Sequence, residues 1–313
     1  MNASVKSTIN NITHLQSLII ADKQQILYEF ASRPEILSQP QNVKSVAKSI
    51  LPFIFSIFQQ RYIFSDESSI YPVLSENAHI NSETSEKYKP VRYSHLLSMH
   101  TIWDWHETNL HLELFFQHPD PIRYMLKYPF LFDVNPTFNY CTPTSHILVY
   151  LIEQMMDSSF VQFAQHGLGD PLDICLDRWG TNSQGIAWGG TDLLLSTREM
   201  IVLGQWLMTE RDYPSLLESG WVEKCWTVKT HVDDVYFQSF VPGMMGYGYG
   251  WWICEYLDQP MYAALGYGGQ FLIIFPQSDR MFAGTSLMDN NHPGNVKQFQ
   301  LVMNMIKEIM ESV

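Results

Sequence analysis

The stretch Asn42-Val43-Lys44-Ser45-Val46-Ala47-Lys48-Ser49-Ile50-Leu51-Pro52-Phe53 carries the residues of this chain best placed to do chemistry. On a helix, Ser45 and Lys48 stand three apart and share a face, so their side chains can meet. A serine hydroxyl is a weak nucleophile until a base takes its proton. A lysine amine one turn away can be that base when its surroundings keep it neutral, and burial does so because desolvation disfavours the charged form. The following Ile50, Leu51, Phe53, Ile54, Ile57 and Phe58 are apolar enough to bury the helix. S-x-x-K is a common pattern, however. Its plain reading is a serine N-cap beside a solvated lysine. Thr84-Ser85-Glu86-Lys87 is a near miss with threonine first.

Further segments follow in a fixed order: Arg92-Tyr93-Ser94-His95-Leu96-Leu97-Ser98-Met99-His100-Thr101, then Asn135-Pro136-Thr137-Phe138-Asn139-Tyr140-Cys141-Thr142-Pro143. Phe160-Val161-Gln162-Phe163-Ala164 leads to Leu168-Gly169-Asp170-Pro171-Leu172-Asp173-Ile174, and Gly189-Gly190 precedes Leu195-Ser196-Thr197-Arg198-Glu199-Met200 and Leu203-Gly204. Tyr247-Gly248-Tyr249-Gly250-Trp251-Trp252 and Ala264-Leu265-Gly266-Tyr267-Gly268-Gly269-Gln270 complete the series. With Ser45 and Lys48 these segments resemble the serine β-lactamase-related family. That family includes class C β-lactamases, DD-peptidases, family VIII-type esterases and 6-aminohexanoate-oligomer hydrolases. The resemblance runs from about the first strand to the last helix.

The resemblance implies Ser45 as the acylated nucleophile at the start of a helix, with Lys48 and Tyr140 sharing the general-base and general-acid work. A tyrosine, with an ordinary pKa of about 10, needs a cation nearby to act as a base near neutrality. Lys48 is either that cation or itself the neutral base, with Tyr140 relaying the proton. The N–H groups of Ser45 and Tyr267 are the implied oxyanion donors, and Thr142, Gly266 and Gln270 complete the implied substrate-binding set. The site is expected at the seam between two lobes, where ligand sites favour forming.

Two positions depart from the family. Thr142 stands where relatives have Ser or Asn. It keeps a hydroxyl for substrate or Lys48 but lacks the amide associated with class C activity. Ala264-Leu265-Gly266 fills the slot of K-T-G, and Ala264 offers neither charge nor donor for a penicillin-type carboxylate. The expected activity is therefore a serine hydrolase cleaving an ester or linear amide, of esterase or 6-aminohexanoate-hydrolase type rather than β-lactamase type. The alternative is a catalytically idle relative that binds a small ligand.

Composition narrows the partners. The 19 basic and 32 acidic residues give a formal charge of −13, which argues against nucleic acid or an anionic membrane as partner. No run approaches the ~20 apolar residues of a membrane span, and Met1–Asn11 has no apolar core of signal-peptide length, so a cytoplasmic location is expected. Cys141, Cys175, Cys225 and Cys254 are widely spaced. They read as buried free thiols rather than a disulfide framework. His106-Glu107-Thr108-Asn109-Leu110-His111 is one residue too long for H-E-x-x-H, so no metal and no cofactor are expected. Trp103, Trp105, Trp188, Trp251 and Trp252 are candidates for an acyl pocket, with core packing the expected role of at least half.

The elements that must position these residues follow from periodicity. Leu15–Ala21 and Gln25–Phe30 read as a hairpin around Asp22-Lys23-Gln24. Ser45–Phe58 reads as a buried helix, Asn77–Lys89 as a polar loop, and Ser94–Met99 as a short helix. Thr144–Met156, Ser159–His166, Thr197–Met208 and Gln298–Met310 are spaced as helices, the third with a Ser196/Glu199 capping box. Gly246–Ile253, Met261–Leu265, Phe271–Phe275 and Met281–Leu287 read as strands. Strands thus gather at both ends with helices between. That order predicts an α+β, multi-domain chain: an antiparallel sheet built from both termini and flanked by helices, with an inserted all-helical lobe. The expected division is 1–44 with 185–313 for the sheet lobe and 45–184 for the helical lobe. By resemblance the fold is β-lactamase/transpeptidase-like.

Overall fold

The structure, a computed structural model, describes residues 3–62, 64–76, 86–100, 103–131, 137–289 and 291–311. Thr101, Asn135, Pro136, the near-miss Thr84-Ser85 and most of the polar stretch 77–89 lie outside these residues. Ten strands are described: β1 Leu15–Ala21, β2 Ile26–Ala31, β3 Gln41–Asn42, β4 Leu194–Leu195, β5 Thr230–His231, β6 Met244–Tyr247, β7 Trp252–Tyr256, β8 Gln259–Gly266, β9 Gln270–Phe275 and β10 Arg280–Ser286.

Eight of them form one antiparallel sheet in the order β2-β1-β10-β9-β8-β7-β6-β5. The first hairpin joins the C-terminal meander through β1 and β10, where Leu18 pairs with Gly284 and Ile20 with Phe282. β3 and β4 make a separate two-stranded ribbon, and the described elements between them are all helical.

Both sheet faces are covered, and the strand sequences show why. Side chains alternate between faces with a period of two. Ile19, Ala21, Ala264, Leu272, Ile274, Met281 and Ala283 point to one core, which the helices Leu51–Tyr62, Thr142–Glu153 and Thr197–Asp212 share. Leu18, Ile20, Ala263, Leu265, Phe271, Ile273 and Phe282 point to the other, closed by helix Asn295–Glu311 through Phe299, Val302, Met303, Ile306 and Ile309. That spacing of three and four makes one apolar stripe on the helix. The capping box expected at Ser196 is present: its hydroxyl accepts from Glu199 N at 3.2 Å, and the Glu199 carboxylate accepts from Ser196 N at 2.7 Å.

Two elements differ from expectation. The run Gly246–Ile253 is split into β6 and β7 by a turn at Gly250, whose φ of +75° suits glycine. A Cβ there would lie 2.4 Å from the Lys48 carbonyl oxygen. The helix expected over Ser45–Phe58 is two pieces, a 3-10 segment Lys44–Ser49 and an α-helix Leu51–Tyr62. Pro52 explains the break. It has no N–H to give the Lys48 carbonyl, and it is tolerated only in a first α-helical turn. Ser45 therefore stands in a tight 3-10 turn and not at the N-terminus of a long helix.

Candidate active site

Ser45 is held by anchors on both sides. Before it, Val43 N donates to Leu193 O at 3.0 Å, and Lys44 N donates to Asn42 Oδ1 at 3.0 Å. Lys44 has φ +53°, a left-handed conformation unusual for a branched-free charged residue and found where surrounding structure enforces it. After it, Trp251 Nε1 donates to Ser49 O at 3.0 Å and Trp221 Nε1 to Pro52 O at 2.9 Å. At Gly266 a Cβ would meet the Val43 carbonyl oxygen at 2.3 Å, so only glycine lets the end of β8 close on this turn.

The plain reading of Lys48 as a solvated charge fails. Lys48 is 3 % exposed, and its Nζ lies 2.9 Å from Ser45 Oγ and 2.7 Å from Gly190 O. The Gly189-Gly190 pair makes room for it. A Cβ on Gly190 would stand 3.1 Å from the ammonium, and one on Gly189 would meet Ser145 O at 2.6 Å. Burial lowers the Lys48 pKa from 10.5 to about 8, while the charges of Glu107 and Cys141 oppose the shift.

Tyr140 completes the cluster. Lys48 Nζ is 5.1 Å from its ring centroid, and its hydroxyl is in polar contact with Ser45. Burial pushes the phenol well above its ordinary pKa, a shift that the Ser45 contact opposes and the Glu107 charge reinforces. The ring is fixed by Trp252, nearly parallel at 14° and 5.6 Å. Its backbone is fixed by Asn139, whose Nδ2 donates to Trp103 O at 3.3 Å and Trp105 O at 2.9 Å.

Glu107 is the residue that sequence reasoning missed. Its carboxylate accepts from Trp105 Nε1 at 2.6 Å, from Thr142 N at 3.1 Å and from Thr142 Oγ1. It therefore clamps the first residue of helix Thr142–Glu153, two positions beyond Tyr140, and sets the charge beside Lys48. The Thr142 hydroxyl hydrogen goes to this carboxylate. Glu107 lay inside the histidine motif weighed for metal, and no metal-holding group of side chains is found among the described residues. His106 and His111 stack at 6.2 Å, with His111 Nδ1 bonded to His106 O at 2.8 Å.

Ser45, Tyr140, Thr142, Gly266 and Tyr267 all line one cleft of about 940 Å³, with Glu107 beside them. Gln270 does not join them. It opens β9 with its amide buried, Nε2 donating to Ser286 O at 2.9 Å and Oε1 accepting from Ser286 N at 3.1 Å. Both ends of the side chain thus fasten β9 to the end of β10, which corrects its expected place in the substrate-binding set. Ala264 is fully buried in the sheet core, and its neighbour Leu265 takes the cleft wall. Of the five candidate tryptophans, Trp105 and Trp252 line the cleft, Trp103 and Trp251 are completely buried, and Trp188 packs on Phe116 and His146, each at 4.8 Å. None of the four cysteines is in a disulfide; Cys141, Cys225 and Cys254 are buried as expected, whereas Cys175 is only half-buried.

This antiparallel sheet, flanked on both faces by helices and interrupted by a segment whose described elements are helices, is the β-lactamase/transpeptidase-like fold. No protein-family model and no curated protein matches the sequence. Solved structures do match the fold. A Bacillus anthracis protein provisionally assigned as a 6-aminohexanoate-dimer hydrolase superposes with a TM-score of 0.74 at 17 % identity, over 98 % of this chain and 82 % of that one. A penicillin-binding protein from Bacillus halodurans gives 0.72 at 13 % identity, over 96 % and 99 % of the two chains. A D-stereospecific amidohydrolase from a Streptomyces species gives 0.69 at 12 %, over 96 % and 97 %.

Proposed function

We propose that this protein is a serine hydrolase that cleaves an ester or linear amide bond through an acyl-enzyme on Ser45. The observation that carries the reading is the buried Lys48 amine 2.9 Å from Ser45 Oγ in the wall of a large cleft. Lys48, with a pKa near 8, is the group of the cluster that changes charge close to neutrality; Tyr140 stays a neutral phenol there. Lys48 is accordingly the base, and Tyr140 the relay.

In the first half-reaction Ser45 Oγ bonds to the substrate carbonyl carbon as its proton passes to Lys48 Nζ. The negative oxygen is held by the N–H groups of Ser45 and Tyr267; such donors contribute about 3–4 kcal/mol each. The tetrahedral intermediate then loses the alcohol or amine, which leaves with the proton returned through Lys48 and Tyr140. In the second half-reaction a water gives its proton to the same base, attacks the acyl carbon and releases the acid, and Ser45 recovers its proton. Similarity to the provisionally assigned 6-aminohexanoate-dimer hydrolase and to the D-stereospecific amidohydrolase supports this class of substrate. The apolar Ala264 slot disfavours β-lactam carboxylates.

A fluorophosphonate probe should label the wild type at Ser45 and leave Ser45→Ala unlabelled, and Ser45→Ala should lose ester hydrolysis. Failure of the folded wild type to label anywhere from about pH 6 to about pH 10, the range of lysine and tyrosine titration, would sink the proposal. Efficient nitrocefin turnover would overturn its substrate preference. The second reading, ligand binding without turnover, draws on Ala264 and on the Thr142 hydroxyl being committed to Glu107. Steady, Ser45-dependent release of p-nitrophenol from short acyl esters removes it.

A further inference from the structure

The wall of the cleft is built from rings to an extent that acyl transfer by Ser45 does not require. Ten of the 29 described residues lining it are aromatic, against 14 % of the chain. The rings start at the nucleophile. Tyr140 lies against Trp252, Phe237 stacks on Trp252 at 5.3 Å and 30°, and Phe138 meets Phe237 edge-on at 5.9 Å and 90°. The wall continues through Phe240 and Phe299, 6.0 Å apart, beside Leu265, and ends at the mouth in Tyr236 and Tyr267, each 53 % exposed. Trp105, Leu112 and Phe116 line the same cleft.

Mutual packing accounts for the buried members, but Phe138 and Phe237 stay only partly covered. The short helix Val235–Gln238 shows the arrangement in one turn. Asp234 caps it by accepting from Tyr236 N at 2.8 Å, and Phe237 turns to the cleft while Val235, 77 % exposed, turns out. Exposed aromatic faces beside a reacting group are unfavourable in water, and another ring covers them best by offset or edge-to-face contact. Charge in the cleft does not compete with this. Lys44 and Lys229 stand against Glu107, Asp233 and Asp234, so neither sign of ligand is strongly selected.

We propose that the substrates of this site carry an aromatic ring next to the scissile carbonyl, and that the partly covered Phe237 and Phe138, backed by the buried Trp252, recognise that ring. The inference rests on Ser45 being the acylated nucleophile. The ring sits on either the acyl or the leaving side, and matched substrates separate the two. Hydrolysis would be followed as acid release from methyl phenylacetate against methyl butyrate for the acyl side, and from benzyl acetate against propyl acetate for the leaving side. The expected result is a kcat/KM at least tenfold higher for the ring-bearing member of one pair. Phe237→Ala should shrink that ratio by about fivefold, and Phe237→Leu, which keeps apolar volume in case the alanine variant unfolds, should shrink it as well. Ratios within threefold for both pairs, in protein whose Ser45 takes the fluorophosphonate, overturn the aromatic preference and leave the hydrolase standing. Absence of both labelling and Ser45-dependent hydrolysis overturns the hydrolase and this inference with it.

Discussion

Replacing Lys48 by methionine should abolish activity and make the protein more stable at neutral pH. Lys48 is 3 % exposed, and its pKa falls from 10.5 to about 8 on folding. Between these values the unfolded chain holds a proton that the folded chain does not, so stability rises with pH through the window from about 8 to 10.5. Below pH 8 both states are protonated and the full penalty is present, about 3 kcal/mol for a shift of this size. Methionine fits a similar volume and removes the penalty, but it also removes the hydrogen bonds to Ser45 Oγ and Gly190 O. Those contribute about 1 kcal/mol each or slightly less. The variant should therefore gain about 1–2 kcal/mol at pH 7.

Urea unfolding of both proteins at pH 7 and pH 10 tests this. The wild-type minus variant difference isolates Lys48, because tyrosines and cysteines that titrate in the same range cancel. That difference should move in favour of the wild type by about 2–3 kcal/mol between the two pH values, enough to erase or reverse the variant's lead. A difference that stays flat, or a variant weaker at pH 7 than at pH 10 relative to wild type, would show that Lys48 is not held against its charge.

Three other outcomes follow from the geometry. The kcat/KM for a neutral ester should rise with pH through an inflection near 8, the Lys48 value, and Glu107→Gln should move that inflection lower by removing the negative charge that favours the ammonium; an unmoved profile would end the electrostatic role of Glu107. Lys48→Ala and Tyr140→Phe should each lower kcat by at least ~10²-fold, and the double variant should be little worse than the poorer single, since groups that move one proton do not act additively; multiplicative losses would place them in separate steps. Gln270→Ala should lower the urea midpoint by an amount equivalent to about 1–3 kcal/mol, because it strands buried N–H and C=O groups of Ser286, while kcat/KM of the folded fraction stays within about threefold; a loss confined to activity would return Gln270 to the cleft.

What the sequence disclosed and what it hid divide along a physical line. The strands were legible because both sheet faces are buried: Ile19 and Ile20, or Leu272 and Ile273, must both be apolar although they point to different cores. The spacing of Ser45 and Lys48 was legible too, since three residues bring side chains together in a 3-10 turn as well as in an α-helix. The type of turn was not. It depends on Gly250 and Gly266 approaching the Lys48 and Val43 carbonyls from more than 200 residues away, and periodicity carries no information about such contacts. Glu107 was hidden for a related reason. Its partners Trp105 and Thr142 give it a meaning only after the chain between them has folded back, and within its own hexapeptide the two histidines form the more conspicuous pattern. Gln270 erred in the opposite direction. Its position in a glycine-rich turn resembles a binding motif, yet the residue two places after a sharp turn enters the next strand, where an amide with one donor end and one acceptor end can satisfy the edge of a neighbouring backbone. Motif position thus located the cleft, and the hydrogen-bond partner of each side chain decided which motif residues face it.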